Sequence, residues 1–217
     1  MKTNQEYKNA ALAALKGNWA PAVVASIVYI AIALLVSGSS SVGSSLKFSP
    51  GVIAAFEGVG IILSIFVASP LSVGYTNAQK LLYLNADNKV TSNMFNIVLS
   101  NYVHIFLTYL LMTVKIILWS LLLIVPGIIK SFSYAMTPYI MVDHPELSCT
   151  EAIKESEKLM NGHKFDLFYL YISFIGWFIL AIVTCGIGLF WLMPYVETAQ
   201  AAFYQDLKGP EAPVILE

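Results

Sequence analysis

Apolar residues fall along this chain in long blocks rather than in stripes. The blocks are 19–36 (WAPAVVASIVYIAIALLV), 51–71, 102–125, 126–142, 165–184 and 187–204. Each has about the length a helix needs to cross a hydrocarbon core of roughly 30 Å. Three stretches of a different kind precede every second block: 3–16, 91–101 and 148–162, where apolar and polar residues alternate at helical spacing. No two-residue alternation runs long enough for a barrel strand, so the backbone in a bilayer must satisfy itself within helices. The pattern predicts an all-α polytopic bundle of about six transmembrane helices with three interfacial amphipathic helices.

Local signals set the boundaries. Thr3-Asn4-Gln5-Glu6 and Ser148-Cys149-Thr150-Glu151 each read as a capping box, and Gly17-Asn18 and Asn161-Gly162 read as the matching stops. Thr91-Ser92-Asn93 is expected to cap the middle amphipathic helix, and Asn101 to end it. The equal spacing of Thr3–Gly17 and Ser148–Gly162, with Pro70, Pro126 and Pro194 at comparable exits, suggests a degenerate three-fold repeat. Each unit would be an interfacial helix followed by a helical hairpin. Pro126-Gly127 is expected to reverse the chain tightly and Pro138 to kink the fourth span. Residues 1–208 then form one integral membrane domain, with a flexible external loop over 37–50 and a flexible tail over 209–217. The first block also invites a signal-peptide reading, but the helix before it carries Glu6 and has a counterpart later in the chain.

Composition sharpens this picture. Hydrophobic residues make up 58% of the chain and charged residues 12%, about half the charged share of a soluble domain. A net charge of −1 leaves no basic footprint for nucleic acid. All twelve basic residues are Lys, which argues against a bidentate phosphate clamp. With the N-terminus inside, Lys2, Lys8, Lys16, Lys80, Lys89, Lys154, Lys158, Lys164 and Lys208 are cytoplasmic and Lys47 is outside. That asymmetry predicts an inner-membrane protein with both termini in the cytoplasm. Cys149 and Cys185 then lie on opposite sides, too far apart for a disulfide.

Charges within the spans are the candidate chemistry, since each costs about 2.5–3.5 kcal/mol at the bilayer centre and needs a partner. Depth matching suggests two layers: Lys130 with Glu57 towards the outside, and Lys115 with Glu197 near the middle. These are candidates for a ligand or an ion-pair site. The outer face of the 149–160 helix, with Glu151, Lys154, Glu155 and Lys158, is the candidate surface for docking a partner protein. His104, His144 and His163 show no metal-ligand spacing, and His163 is expected to cap a helix C-terminus. Trp19, Tyr102, Tyr204 and Trp191 read as interfacial belt anchors, and Gly58 and Gly60 as points of close helix contact.

The segments VPGIIKSFSYAMTPYIM, DHPELSCTEAIKESEKLMNGHK, LYISFIGW and WLMPYVETAQAAFY resemble a family of small bacterial multi-pass proteins known only as a domain of unknown function. That family is distantly similar to the membrane domain attached to some glycerophosphodiester phosphodiesterases. The resemblance implies a six-span inner-membrane protein without an assigned reaction, and it transfers no catalytic residue. No cofactor motif, nucleophile elbow or phosphate loop is present. The sequence therefore leads to a non-enzymatic protein that binds membrane lipids, a membrane-protein partner or a second copy of itself. A small transporter or lipid-translocating protein using the Lys/Glu pairs is the alternative.

Overall fold

The structure, a computed structural model, describes residues 1–37, 49–85 and 87–209. The expected external loop with Lys47 and the tail beyond residue 209 lie outside the described residues. Those described are helical, without a strand. In chain order they are α1 (Asn4–Leu15), α2 (Trp19–Ser37), α3 (Pro50–Leu63), a π-helical turn (Ser64–Ala68), α4 (Ser69–Asn85), α5 (Val90–Ser100) and α6 (Tyr102–Leu122). Then come α7 (Ile124–Ser133), α8 (Thr137–Asp143), α9 (Cys149–Leu159), α10 (Lys164–Ile172), α11 (Ile175–Val183) and α12 (Leu189–Lys208).

The surface is that of a body solvated by lipid. Leu34, Leu35, Leu121, Ile124, Ile182 and Val183 are each 65% exposed or more, and the apolar helices bury only a minor share of their residues. A contiguous apolar surface of that extent is not stable in water. Among the described residues, four helical stretches are long and apolar enough to cross a membrane: Trp19–Val36, Gly51–Asn85, Tyr102–Leu122 and Lys164–Val183. The protein is therefore membrane-associated and all-α. By length and composition four stretches qualify, where the block pattern suggested six.

Polar groups lie within the bundle. Ser26, Gln79, Thr108, Ser133, Thr137, Ser156 and Thr198 are wholly buried. Small side chains let their helices approach: Ala22 and Ala25 on α2, Ala78 on α4, and Ala199, Ala201 and Ala202 on α12 are buried, and these three helices pack together. Gly74 meets the backbone of Met94 so closely that no side chain would fit between α4 and α5. Gly58, expected to serve such a contact, instead faces open space.

Both capping boxes form as the sequence predicts, at Thr3 with Glu6 and at Ser148 with Glu151. Backbone and side-chain hydrogen bonds from Thr3 hold the Glu6 carboxyl below its usual value, and those from Ser148 do the same for Glu151. The middle helix differs. It begins at Val90 without a side-chain cap, because Asp87 takes the local hydrogen bonds, accepting from the Lys89 amide at 2.9 Å and from Asn93 at 2.8 Å.

The spans also depart from unbroken rods. The second continues past residue 71 as helix to Asn85, through the π-turn. Pro70 has no N–H to give the Phe66 carbonyl, and the Tyr102 hydroxyl donates to that carbonyl instead, at 2.6 Å. The reversal after the third span occurs at Leu123, which is extended, and Pro126-Gly127 lie within the first turns of α7. The fourth stretch breaks between Ser133 and Thr137, so Pro138 opens α8 rather than kinking a continuous helix. Ser156 of α9 repairs that break: its hydroxyl donates to the Ser133 carbonyl (2.9 Å) and accepts from the Met136 amide (3.2 Å). Backbone groups freed by a break must be satisfied in this way when they are buried.

One end of the bundle gathers the charges. Asp143 at the end of α8 pairs with Lys80 of α4, accepts from the Tyr204 hydroxyl of α12 at 2.9 Å, and lies 3.4 Å from Lys208. Tyr204 is consequently buried and stacked on Tyr139 rather than standing in an interfacial belt. Beside this cluster, Asp206 accepts from the Tyr7 hydroxyl (2.6 Å) and the Lys2 amide (2.9 Å), fastening α1 to α12.

Candidate functional site

Of the four embedded charges singled out in the sequence, the structure sets one against a cavity. A cavity of about 360 Å³ lies among α2, α4, α6, α8, α10 and α12. Glu197 of α12 stands in its wall with Gln200, facing Thr76 of α4. Six tyrosines contribute to the lining: Tyr29, Tyr75, Tyr109, Tyr134, Tyr139 and Tyr171. Its size falls within the range of small-molecule sites.

Local structure explains how each group arrives. Pro194 opens the hydrogen-bond ladder of α12 one turn before Glu197, and the Thr198 hydroxyl donates to the Pro194 carbonyl at 2.6 Å. The break at 134–136, held by Ser156, turns Tyr134 and Tyr139 towards the same space. Tyr75 is fixed by a 2.7 Å hydrogen bond with Ser26 and by stacking on Tyr29, ring centroids 5.0 Å apart. Tyr171 donates to Gln200 at 2.7 Å.

Glu197 is only weakly compensated. The Thr76 hydroxyl donates to its carboxyl at 3.2 Å, and among the described residues no lysine forms an ion pair with it. Glu197 is partly exposed and stands in the cavity lining. The Tyr139 hydroxyl, in a side chain 1% exposed, has no hydrogen-bond partner among the described residues. Deeper towards the charged end, Gln79 accepts from Thr198 at 3.4 Å, and its side-chain nitrogen is likewise unpartnered. A carboxyl walled by phenol rings suits reversible binding of a polar molecule.

The other predicted residues lie elsewhere. Lys115 is half-buried on α6, outside the cavity lining and not in contact with Glu197. Lys130 pairs with Glu157 of α9 rather than with Glu57, and its ammonium lies over the Trp119 and Tyr134 rings at 5.2 and 5.8 Å from their centroids. Glu57 is exposed on α3. The two-layer pairing inferred from depth is therefore replaced: depth along a helix does not specify azimuth, and these side chains point to different sectors. On α9, Glu151 is engaged in its capping box, Glu155 and Lys158 pair at 3.0 Å, and Lys154 is exposed. His163 caps no C-terminus. It opens α10 and contacts Asp166 at 3.0 Å.

Sequence reasoning missed the tyrosines. It assigned aromatics to interfaces, whereas Tyr29, Tyr109, Tyr134 and Tyr139 lie inside apolar blocks beside the polar Ser26, Thr108, Ser133 and Thr137. That juxtaposition was the available signal.

Comparison with known proteins adds one match. Residues 121–211 match a family described as a protein of unknown function (DUF975). The matched segment resembles that family and contains Tyr134, Tyr139, Ser156, Tyr171 and Glu197. No curated protein and no solved structure matches the chain.

Proposed function

We propose that this protein is a non-enzymatic, membrane-embedded binding protein that takes a small polar molecule or a lipid headgroup into the cavity around Glu197. The observation that carries the reading is the tyrosine-lined cavity itself, with a carboxyl in its wall and no ion-pair partner for it among the described residues. In this reading the chain crosses the bacterial inner membrane six times, with both termini in the cytoplasm. The distant likeness to phosphodiesterase membrane domains belongs to the same proposal.

Six spans and three units are supported by geometry at the two ends. The Lys2 amide reaches Asp206, a contact that supports both ends of the described chain lying on one side of the bilayer, as six crossings require. At that same end Asp143 contacts both Lys80 and Lys208. The segments 126–142 and 187–204 would then be the two further crossings. The unit structure is supported by the packing of each amphipathic helix on a returning helix: α5 on α4, α9 on α8, and α1 on α12. The lysine-rich side is then the cytoplasmic one.

A second reading, a small transporter or lipid-translocating protein, is favoured by the broken helices beside the cavity, α7–α8 and α10–α11. Interrupted helices at a polar site are the usual moving parts of such proteins. The exposed face of α9, carrying Glu151, Lys154, Glu155 and Lys158, remains the proposed surface for a partner protein or a second copy. Native mass spectrometry of the protein in native-membrane discs, wild type against Glu197→Ala, tests the main reading. A retained small molecule or lipid lost in the variant supports it. An identical retention pattern in both would remove Glu197 from ligand binding.

A further inference from the structure

We propose that the cavity is a cage for an organic ammonium group. The inference rests on the binding role of the cavity and names its ligand. Two observations point to a cation. Aromatic faces attract cations through their quadrupole, and ammonium ligands are bound in this way by aromatic cages. Six tyrosines from five helices and one turn converge on this space. The single carboxyl in the wall, Glu197, has one hydrogen bond from Thr76 and no lysine partner among the described residues. A carboxylate set in a largely aromatic wall gains from a counter-charge, and a bound ammonium supplies one.

An anion is disfavoured by the same geometry. Lys115 and Lys130 are absent from the lining, and Lys130 is already paired with Glu157 on the far side of Tyr134. A phosphate or carboxylate would face Glu197 with no cation to offset it. A fully apolar guest would leave the Glu197 carboxyl without a counter-charge. At about 360 Å³ the space suits a headgroup-sized amine. The ammonium could arrive as a free amine or on the headgroup of a lipid.

The test compares choline with its uncharged isostere, 3,3-dimethylbutan-1-ol, by calorimetric titration of the full chain in discs of phosphatidylglycerol. The expected result is that wild type binds choline at least about tenfold more tightly than the isostere. Glu197→Gln should erase that difference. Titration of protein-free discs of the same lipid is subtracted, which removes any general attraction of choline to anionic lipid. The wild-type comparison needs no variant, so a Glu197→Gln protein that misfolds does not shelter the proposal. Equal binding of the two probes would overturn the ammonium inference and leave the binding role standing. Binding of neither probe, with no lipid retained, would overturn both. Repeating the titration in discs containing phosphatidylethanolamine separates the sources. Suppressed choline binding with phosphatidylethanolamine retained in the mass spectrum assigns the headgroup, and undiminished binding assigns a free amine.

Discussion

Asp143→Ala is the substitution whose cost the structure specifies most fully. Asp143 joins three helices: it pairs with Lys80 of α4, and it accepts from Tyr204 and contacts Lys208 of α12. The Lys80 side chain is 4% exposed and that of Asp143 is 21% exposed. Removing one partner of a buried pair leaves the other charge uncompensated and costs about 3–5 kcal/mol. The partial exposure of Asp143 places this case near the lower bound. The Tyr204 hydroxyl also loses its acceptor, worth about 1 kcal/mol. Lys208 is one-fifth exposed and more distant, so it adds less than about 1 kcal/mol. A loss of roughly 4 kcal/mol is therefore expected for Asp143→Ala. The double substitution Lys80→Met with Asp143→Leu should cost only about 1–2 kcal/mol, because no charge remains buried. The assay is reversible unfolding in mixed detergent micelles, followed by far-ultraviolet circular dichroism. A single variant within about 0.5 kcal/mol of wild type, or a double variant no milder than the single, would refute the reasoning.

Three further outcomes are expected. Ser156→Ala strands the Ser133 carbonyl and the Met136 amide at the α7–α8 break and should cost about 1–3 kcal/mol by the same assay, whereas exposed Lys154→Ala should cost under about 0.5 kcal/mol. Tyr102→Phe removes the donor to Phe66 at the Pro70 gap and should lower stability by about 1 kcal/mol; an unchanged unfolding midpoint would show that the carbonyl finds another partner. Acid should loosen the charged end. Burial alone would raise Asp143 and Asp206, but the Lys80 ammonium with its hydrogen bond, and the hydrogen bond from Tyr7, outweigh it and hold the two carboxyls below their usual value. A depressed carboxyl contributes stability that is present above the unfolded value near pH 4 and is lost as pH falls through the folded one. The unfolding midpoint should thus hold steady from neutral pH to about pH 4 and fall below it, and a flat profile down to pH 2 would contradict these contacts.

The helical class and the two capping boxes were legible because both depend on local rules: block length for the spans, and one residue pair three apart for each cap. The middle cap was misread because Asp87, outside the expected motif, competes for the same donors. Span boundaries failed where proline was read alone. Pro70 lies inside a continuous helix because a tyrosine from another element serves the freed carbonyl, and Pro138 opens a helix because a serine from another element holds the break. Such tertiary partners leave no local trace. The candidate charges were visible as anomalies in apolar blocks, but their partners were not, since pairing depends on helix azimuth. Glu197 was found in this way, and its tyrosine surroundings were overlooked because mid-span aromatics look like ordinary apolar filling.

The central claim is that the interior around Glu197 is an accessible polar cavity, and thiol labelling measures this most directly. With Cys149 and Cys185 replaced by serine, Met193→Cys places a thiol in the cavity lining, and Ile117→Cys places one on the outer apolar face. The account predicts that the Met193→Cys protein reacts with methanethiosulfonate reagents while the Ile117→Cys protein does not. It also predicts that the ethylammonium reagent reacts faster than the ethylsulfonate, and that adding Glu197→Gln removes this preference. A Met193→Cys protein as inert as the Ile117→Cys control, or one labelled equally fast by both reagents, would contradict it.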